Sequence, residues 1–320
     1  MTTHRASTPE VVFPLRRDRA GWRAVYKLGN ERGRCPFQCK FCGVGNSPRV
    51  TSAENMALFD ALHARHLATL DGPYHAAIFN RGNVTDRGAF SQATLDHVLE
   101  TFVRDPRVTC LSLNSREVTA TADVLDELAA RQLPCPLHFI FGQESFTRNA
   151  QLILGKNNQG ELERFIEKLQ PYNTACPPTP ERKKHVFGLD VNLVFLPELY
   201  LDLGESRHGH EEKIAAGFAA EVRQLLALAH PLVPIHINLH PFYPVASLPY
   251  EPADLFMLVR MLPVLQQLVD THNRRSKANP TQLFVGVVFA TQPDTATAPR
   301  LVRLQALLDE FNRTGRLPAA

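Results

Sequence analysis

The sequence predicts an α/β fold: a sheet of parallel strands, each followed by a helix, closed wholly or partly into a barrel. Three observations carry this. Short apolar runs rich in Val, Ile, Phe and Leu recur along the chain, at the length of buried parallel strands. Amphipathic segments of helical period separate them. No Gly-x-Gly-x-x-Gly follows the first run, which removes support from a dinucleotide-binding doubly wound sheet and favours a barrel, whose chemistry sits on the loops after the strands. With 320 residues, 44% of them hydrophobic, the chain is long enough for one large domain or two small ones.

The strand candidates are 22–28, 74–79, 108–113, 136–141, 186–195 and 234–239, with a further run at 283–289. Between the first two, Thr51 and Glu54 have capping-box spacing and open a helix with Met56, Phe59 and Leu62 at three-residue steps. Leu95, Val98, Leu99, Phe102 and Val103 form one helical face, and Pro106 stops that helix. Ile214, Phe218, Val222, Leu225 and Leu226 form another, and 255–269 and 301–311 complete the set. The proline-rich CPPTPERKK at 176–184 reads as a long loop. The expected organisation is a basic arm at 1–20, a barrel at 21–244, and an extension at 245–320 packed on the barrel.

A net charge of +3 with 21% charged residues argues against nucleic acid or an acidic membrane surface as partner. The basic bias is concentrated early, in Arg5, Arg16, Arg17, Arg19, Arg23, Arg32 and Arg34, read as a solvated arm. The first residues contain no apolar secretory segment, and no run approaches the roughly 18 apolar residues of a membrane span, so a reducing cytoplasm is expected. Cys110, Cys135 and Cys176 are far apart and are expected as thiols there.

Three more cysteines crowd the stretch GRCPFQCKFCGVGNSP, at 33–48, directly after the first strand. Cys35, Cys39 and Cys42 have the spacing C-x3-C-x2-C. A disulfide does not suit the compartment. A structural zinc site wants four ligands, and His63 and His66 lie more than twenty residues on, inside a helix. Three exposed thiols clustered by chance would be an oxidation liability. A [4Fe–4S] cluster on three thiolates keeps one iron open to a ligand.

CPFQCKFC resembles the signature of the radical S-adenosylmethionine (SAM) superfamily, including the aromatic Phe41 before the last cysteine. The resemblance implies a partial (β/α)6 TIM-like barrel, with the seventh run either extending the sheet or joining the C-terminal layer. It implies a [4Fe–4S] cluster on Cys35, Cys39 and Cys42, whose open iron SAM chelates. One electron, from a donor such as flavodoxin or ferredoxin, then cleaves SAM to a 5′-deoxyadenosyl radical that abstracts hydrogen from the substrate.

The same resemblance proposes cofactor contacts at the strand ends. After the second strand, FNRGNVTD offers Asn80, Gly82 and Asn83 for the SAM amino group; the commoner Gly-Gly-Glu form is absent, and an ordinary Asn-capped turn is the competing reading. After the third and fourth strands, LNSREVTA and FGQESFTRNAQLILGKNNQG resemble Elongator-type relatives and offer Ser115, Arg116, Gln143 and Glu144. Glu144 also suits a helix N-terminus. Val194, Phe195 and Leu196 are candidates to pack on adenine, or plain core. On the sixth strand, period two from His236 sends Asn238 and His240 to the mouth as substrate contacts, against the commoner structural histidine.

Three functions compete. The first is a radical SAM enzyme acting on a small polar metabolite such as a nucleoside or sugar nucleotide, with any phosphate met by Arg116 or the N-terminal arginines. The others are an Elongator-like enzyme acting on RNA and a non-catalytic protein holding a metal on three cysteines.

Overall fold

In the run Gly21–Leu28, alternate residues divide between two environments. Ala24, Tyr26 and Leu28 are buried against helices, while Arg23, Val25 and Lys27 face the other way. This strand, β2, pairs antiparallel with β1 (Arg16–Asp18) and parallel with β3 (Tyr74–Asn80). The sheet continues through β4 (Val108–Ser115), β5 (Leu137–Glu144), β6 (Phe187–Phe195), β7 (Ile235–Pro241) and β8 (Leu283–Val285), in sequence order and all parallel. A computed structural model provides this description, for residues 16–18, 21–37, 39–40, 42, 48–131, 133–156, 158–175, 186–202, 204–242, 250, 255–276, 279–286 and 298–318.

Each crossover carries helix: α1 (Ser52–Leu67), α2 (Gln92–Val103), α3 (Ala122–Ala130), then α4 (Asn149–Leu154) and α5 (Glu161–Ala175), α6 (Glu211–Ala227) and α7 (Leu255–Arg275), with α8 (Ala298–Thr314) last. The expected capping box at Thr51 and Glu54 is formed. On α2 the buried face is Leu95, Val98, Leu99 and Phe102; Val103 falls outside it, 48% exposed.

The sheet curls into a partial barrel. Strands β2 and β6 are four places apart, about 19 Å in a flat sheet, yet Arg23 donates to Asp190 of β6 at 3.0 Å. The Arg23 guanidinium also lies 5.9 Å from the ring centre of Phe284 on β8, at the far end of the sheet. The outer faces pack Phe59, Phe102, Phe139, Phe165, Phe195 and Phe218 into one core with the helices.

Two expectations change. The run predicted at 283–289 extends the sheet in its described part, as β8 (Leu283–Val285), so the parallel strands number seven rather than six among the described residues. The basic arm is not wholly outside the fold: Arg16–Asp18 are a strand against which α8 packs, and Arg23 is inside the barrel. The proline-rich 176–184 and Cys176 lie outside the described residues.

Candidate active site

The loop 29–51 leaves the C-terminal end of β2 at the barrel mouth and returns to α1. Buried polar side chains fix both of its ends. Asn30, fully buried, accepts the backbone N–H groups of Arg32 (2.8 Å) and Gly33 (3.1 Å) and donates to the Arg81 carbonyl (2.8 Å). The Glu31 carboxylate accepts from Ser52, Asn55, Thr94 and the Ser91 N–H, which draws the loop onto the N-termini of α1 and α2. Burial alone would raise the Glu31 carboxyl; those four donors hold it below the usual carboxylate range. Gly33, at φ +91, passes so close to Arg49 that a Cβ would meet it at 3.0 Å.

The thiol-bearing part of the loop docks on the C-terminal end of α4. The Lys40 N–H donates to the Leu154 carbonyl (2.9 Å), beside Gly155 at φ +64. Cys35, Cys39 and Cys42 are all half-buried. Burial pushes the Cys39 thiol up; Lys156 and Arg116 pull it back, while Cys42 and Glu144 add to the rise. Cys39 therefore feels two cations and a carboxylate, from Arg116 after β4, Glu144 at the end of β5 and Lys156 just after α4. Glu144 is the only non-glycine residue at positive φ among the described residues (+65), a conformation that a structure retains where its surroundings impose it. Here Lys156 bonds both Glu144 (3.0 Å) and the Gly142 carbonyl across the turn.

Arg116 is held differently from expectation. It pairs with Glu161 and Asn158, and its guanidinium lies 4.2 Å from the ring centre of Phe37, between the first two cysteines. It braces the cysteine loop, and its charge is already met by Glu161, which removes it as first choice for a phosphate.

The lumen face of the mouth carries an amide–imidazole chain. Asn238 donates to Asn192 on β6 (3.0 Å) and to His240 Nε2 (2.7 Å), so the imidazole keeps its proton on Nδ1. Both Asn238 and His240 alternate with the buried Ile237 and Leu239 and face the lumen as the period required. Val194 pairs with His240 on the same face.

Other candidates serve the scaffold. Asn80 accepts the Gly82 N–H (2.9 Å) and donates to the Ala89 carbonyl (3.1 Å), an Asn-closed turn. A Cβ on Gly82 would stand 2.8 Å from the Asn30 amide, so packing against the root of the cysteine loop requires glycine here. Asn83 is buried in that turn and its carbonyl accepts from Asp86. Ser115 bonds Thr85 (2.7 Å). Gln143 sits in a bulge, buried, donating to the Ser145 carbonyl (3.1 Å), with its Oε1 buried and without a partner. Phe195 packs on Phe218 of α6 (5.0 Å), and Leu196 is fully buried in the core, so neither is placed for adenine. Phe41 lies outside the described residues.

Sequence reasoning passed over Asn30, Glu31, Lys156 and Asn192. Asn192 carried a usable signal, since period two on β6 aligns it with Val194. Lys156 carried none, because only the fold brings it back to β5.

No family model matches the chain, and no curated protein does. Among solved structures the chain is similar to a radical SAM methyltransferase from Sphaerobacter thermophilus, at 14% identity over 82% of this chain, with a TM-score of 0.47. The chain spans 66% of the length of that protein. A spore photoproduct lyase variant is similar at 10% identity over 85% of this chain and 79% of its own, with a TM-score of 0.44. A cellotrioside-bound CcCel6A catalytic domain is similar at 13% identity over 82% of this chain and 66% of its own, with a TM-score of 0.32.

Proposed function

We propose that this chain is a radical SAM enzyme with a single [4Fe–4S] cluster on Cys35, Cys39 and Cys42, acting on a small polar metabolite such as a nucleoside or sugar nucleotide. The observation that carries the proposal is one loop of three half-buried thiols in C-x3-C-x2-C spacing, clamped at the C-terminal mouth of a partial parallel barrel. The residues fit such a group. Three soft sulfur donors suit iron–sulfur chemistry, they are open enough to be reached, and at Cys39 Lys156 and Arg116 oppose the burial that raises its thiol. When bound, the cluster with SAM supplies one-electron reductive cleavage and hydrogen abstraction.

The chain's own residues do the rest. Asn30 and Glu31 fix the entry of the thiol loop, Arg116 braces its middle through Phe37, and Lys156 holds Glu144 toward Cys39. Asn192, Asn238 and His240 present neutral donors and acceptors at the mouth. That set suits hydroxyls or a base ring better than several phosphates.

The test uses anaerobically reconstituted protein, a reductant and SAM with candidate nucleosides and sugar nucleotides bearing deuterium. Wild type should hold about four irons per chain and release 5′-deoxyadenosine that carries deuterium. Replacing Cys35, Cys39 and Cys42 together by Ala should abolish iron and SAM cleavage; cleavage surviving in that variant overturns the assignment. His240→Ala should keep both and lose product about tenfold, roughly 1.4 kcal/mol of barrier. Undiminished product would remove β7 from the substrate site.

A further inference from the structure

Far below the mouth, β5, β6 and β7 each turn one metal-competent side chain into the lumen. His138 and His236 are the second residues of their strands and Asp190 the fourth, whereas the cysteine loop sits at the other end. One donor atom from each of the three lies within 4.8 Å of the others. His138 Nδ1 is 3.0 Å from Asp190 Oδ1, and His236 Nδ1 is buried with no hydrogen-bond partner. Such an orphan is costly unless something fills it.

We propose that His138, Asp190 and His236 form a second metal site, which binds one divalent ion of the zinc type independently of the cysteine loop. Two imidazoles and a carboxylate are a borderline donor set of the kind that zinc takes. At metal–ligand bonds of about 2.0–2.2 Å, tetrahedral donors stand about 3.3 Å apart. The pair at 3.0 Å is slightly inside that spacing and would open a little to take an ion. A proton on His138 Nδ1 now bridges it, and the ion would displace that proton to solvent.

The surroundings are those of an oriented ligand set. Asp190 Oδ2 accepts from Ser112 (2.8 Å) and Arg23 (3.0 Å), which leaves Oδ1 turned to the imidazoles. His75 in turn bonds Ser112 at 2.6 Å. Gly188 makes room: a Cβ there would come within 2.6 Å of His138 Nε2. The Arg23 charge opposes a cation, so binding should be weaker than at a site with a second carboxylate in its place.

The full-length Cys35/Cys39/Cys42→Ala variant, stripped by chelation and dialysed against zinc, should retain one zinc per chain by elemental analysis. Cobalt in its place should give the intense visible bands of a tetrahedral ion. Adding His236→Ala should remove both. Zinc absent from the first variant, or retained equally by the second, overturns the proposal. If the triple variant does not fold, wild type and His236→Ala, both loaded with iron, give the same comparison with iron and zinc counted separately. A chain that bound zinc here yet held no iron would keep this inference and lose the cluster.

Discussion

At the scale of single residues, Cys39 and Lys156 show how the fold prepares a thiol. Burial raises the Cys39 thiol, and the Lys156 ammonium is the strongest opposing influence. In Lys156→Met the larger of the two opposing charges is gone and only Arg116 remains, so the thiol rises further and a smaller fraction is thiolate at neutral pH. Iodoacetamide alkylation of Cys39 in the metal-free protein, followed by peptide mass spectrometry across pH, should show its midpoint move to higher pH; an unmoved midpoint would remove Lys156 from the thiol's surroundings. This residue also marks what was legible in the sequence. The three cysteines were, because their spacing is local. So were Asn238 and His240, because alternation along a strand places a side chain without knowledge of the partner strand. Lys156 and Arg116 were not. A cation twelve residues after a carboxylate has no periodic relation to it, and Arg116 read as a ligand contact until Glu161 and Phe37 were seen to occupy it.

At the scale of elements, the end of β5 is tied to α6 through one buried acid. Glu221 accepts from Ser145 and from the Phe146 N–H (3.0 Å), directly after the strained Glu144. Its other oxygen and the Tyr200 hydroxyl are both buried without another partner. Burial raises the Glu221 carboxyl from 4.5 to about 7, against the pull of the Ser145 and Phe146 donors. The folded chain thus holds a proton between those values that the unfolded chain has released. The contribution of this group to stability is full below 4.5 and declines as pH rises towards 7, by about 3 kcal/mol in all. Glu221→Gln keeps an acceptor and cannot ionise, so thermal melts should show it more stable than wild type at pH 8 and level with it near pH 4.5. An equal difference at both would refute a titrating Glu221. The order of strands and helices was legible because each apolar run and each amphipathic face is a local pattern. The place of β8 was not, since a short buried run reads alike in a sheet or in an added layer. The strand in the arm was hidden for the opposite reason: Arg16 and Arg17 look solvated, and antiparallel pairing with β2 needs only their backbone.

At the scale of the whole molecule, Arg23 on β2 and Asp190 on β6 tie together strands four places apart in the sheet. Composition placed Arg23 in a solvated arm; burial gives it 13% exposure beside an acid at 2%. Burial alone would raise the Asp190 carboxyl, but the His138 hydrogen bond and the Arg23 charge hold it well below the usual carboxylate range. The stability that Asp190 contributes is therefore present above its unfolded value and lost only as pH falls through the lower folded one. Arg23→Met keeps the length of the side chain and leaves a buried carboxylate with histidines and Ser112 as its partners. Urea denaturation in the presence of chelator should show a loss of about 3–5 kcal/mol at neutral pH, the scale for a broken buried pair. The deficit should narrow as acid protonates Asp190 in both proteins, because the uncompensated charge is then gone. Arg23→Met with Asp190→Leu should recover much of the loss, since two apolar side chains of similar volume can replace a buried pair at little cost. A single variant as stable as wild type at neutral pH would mean that strand pairing and the outer helices alone hold the curl of the sheet.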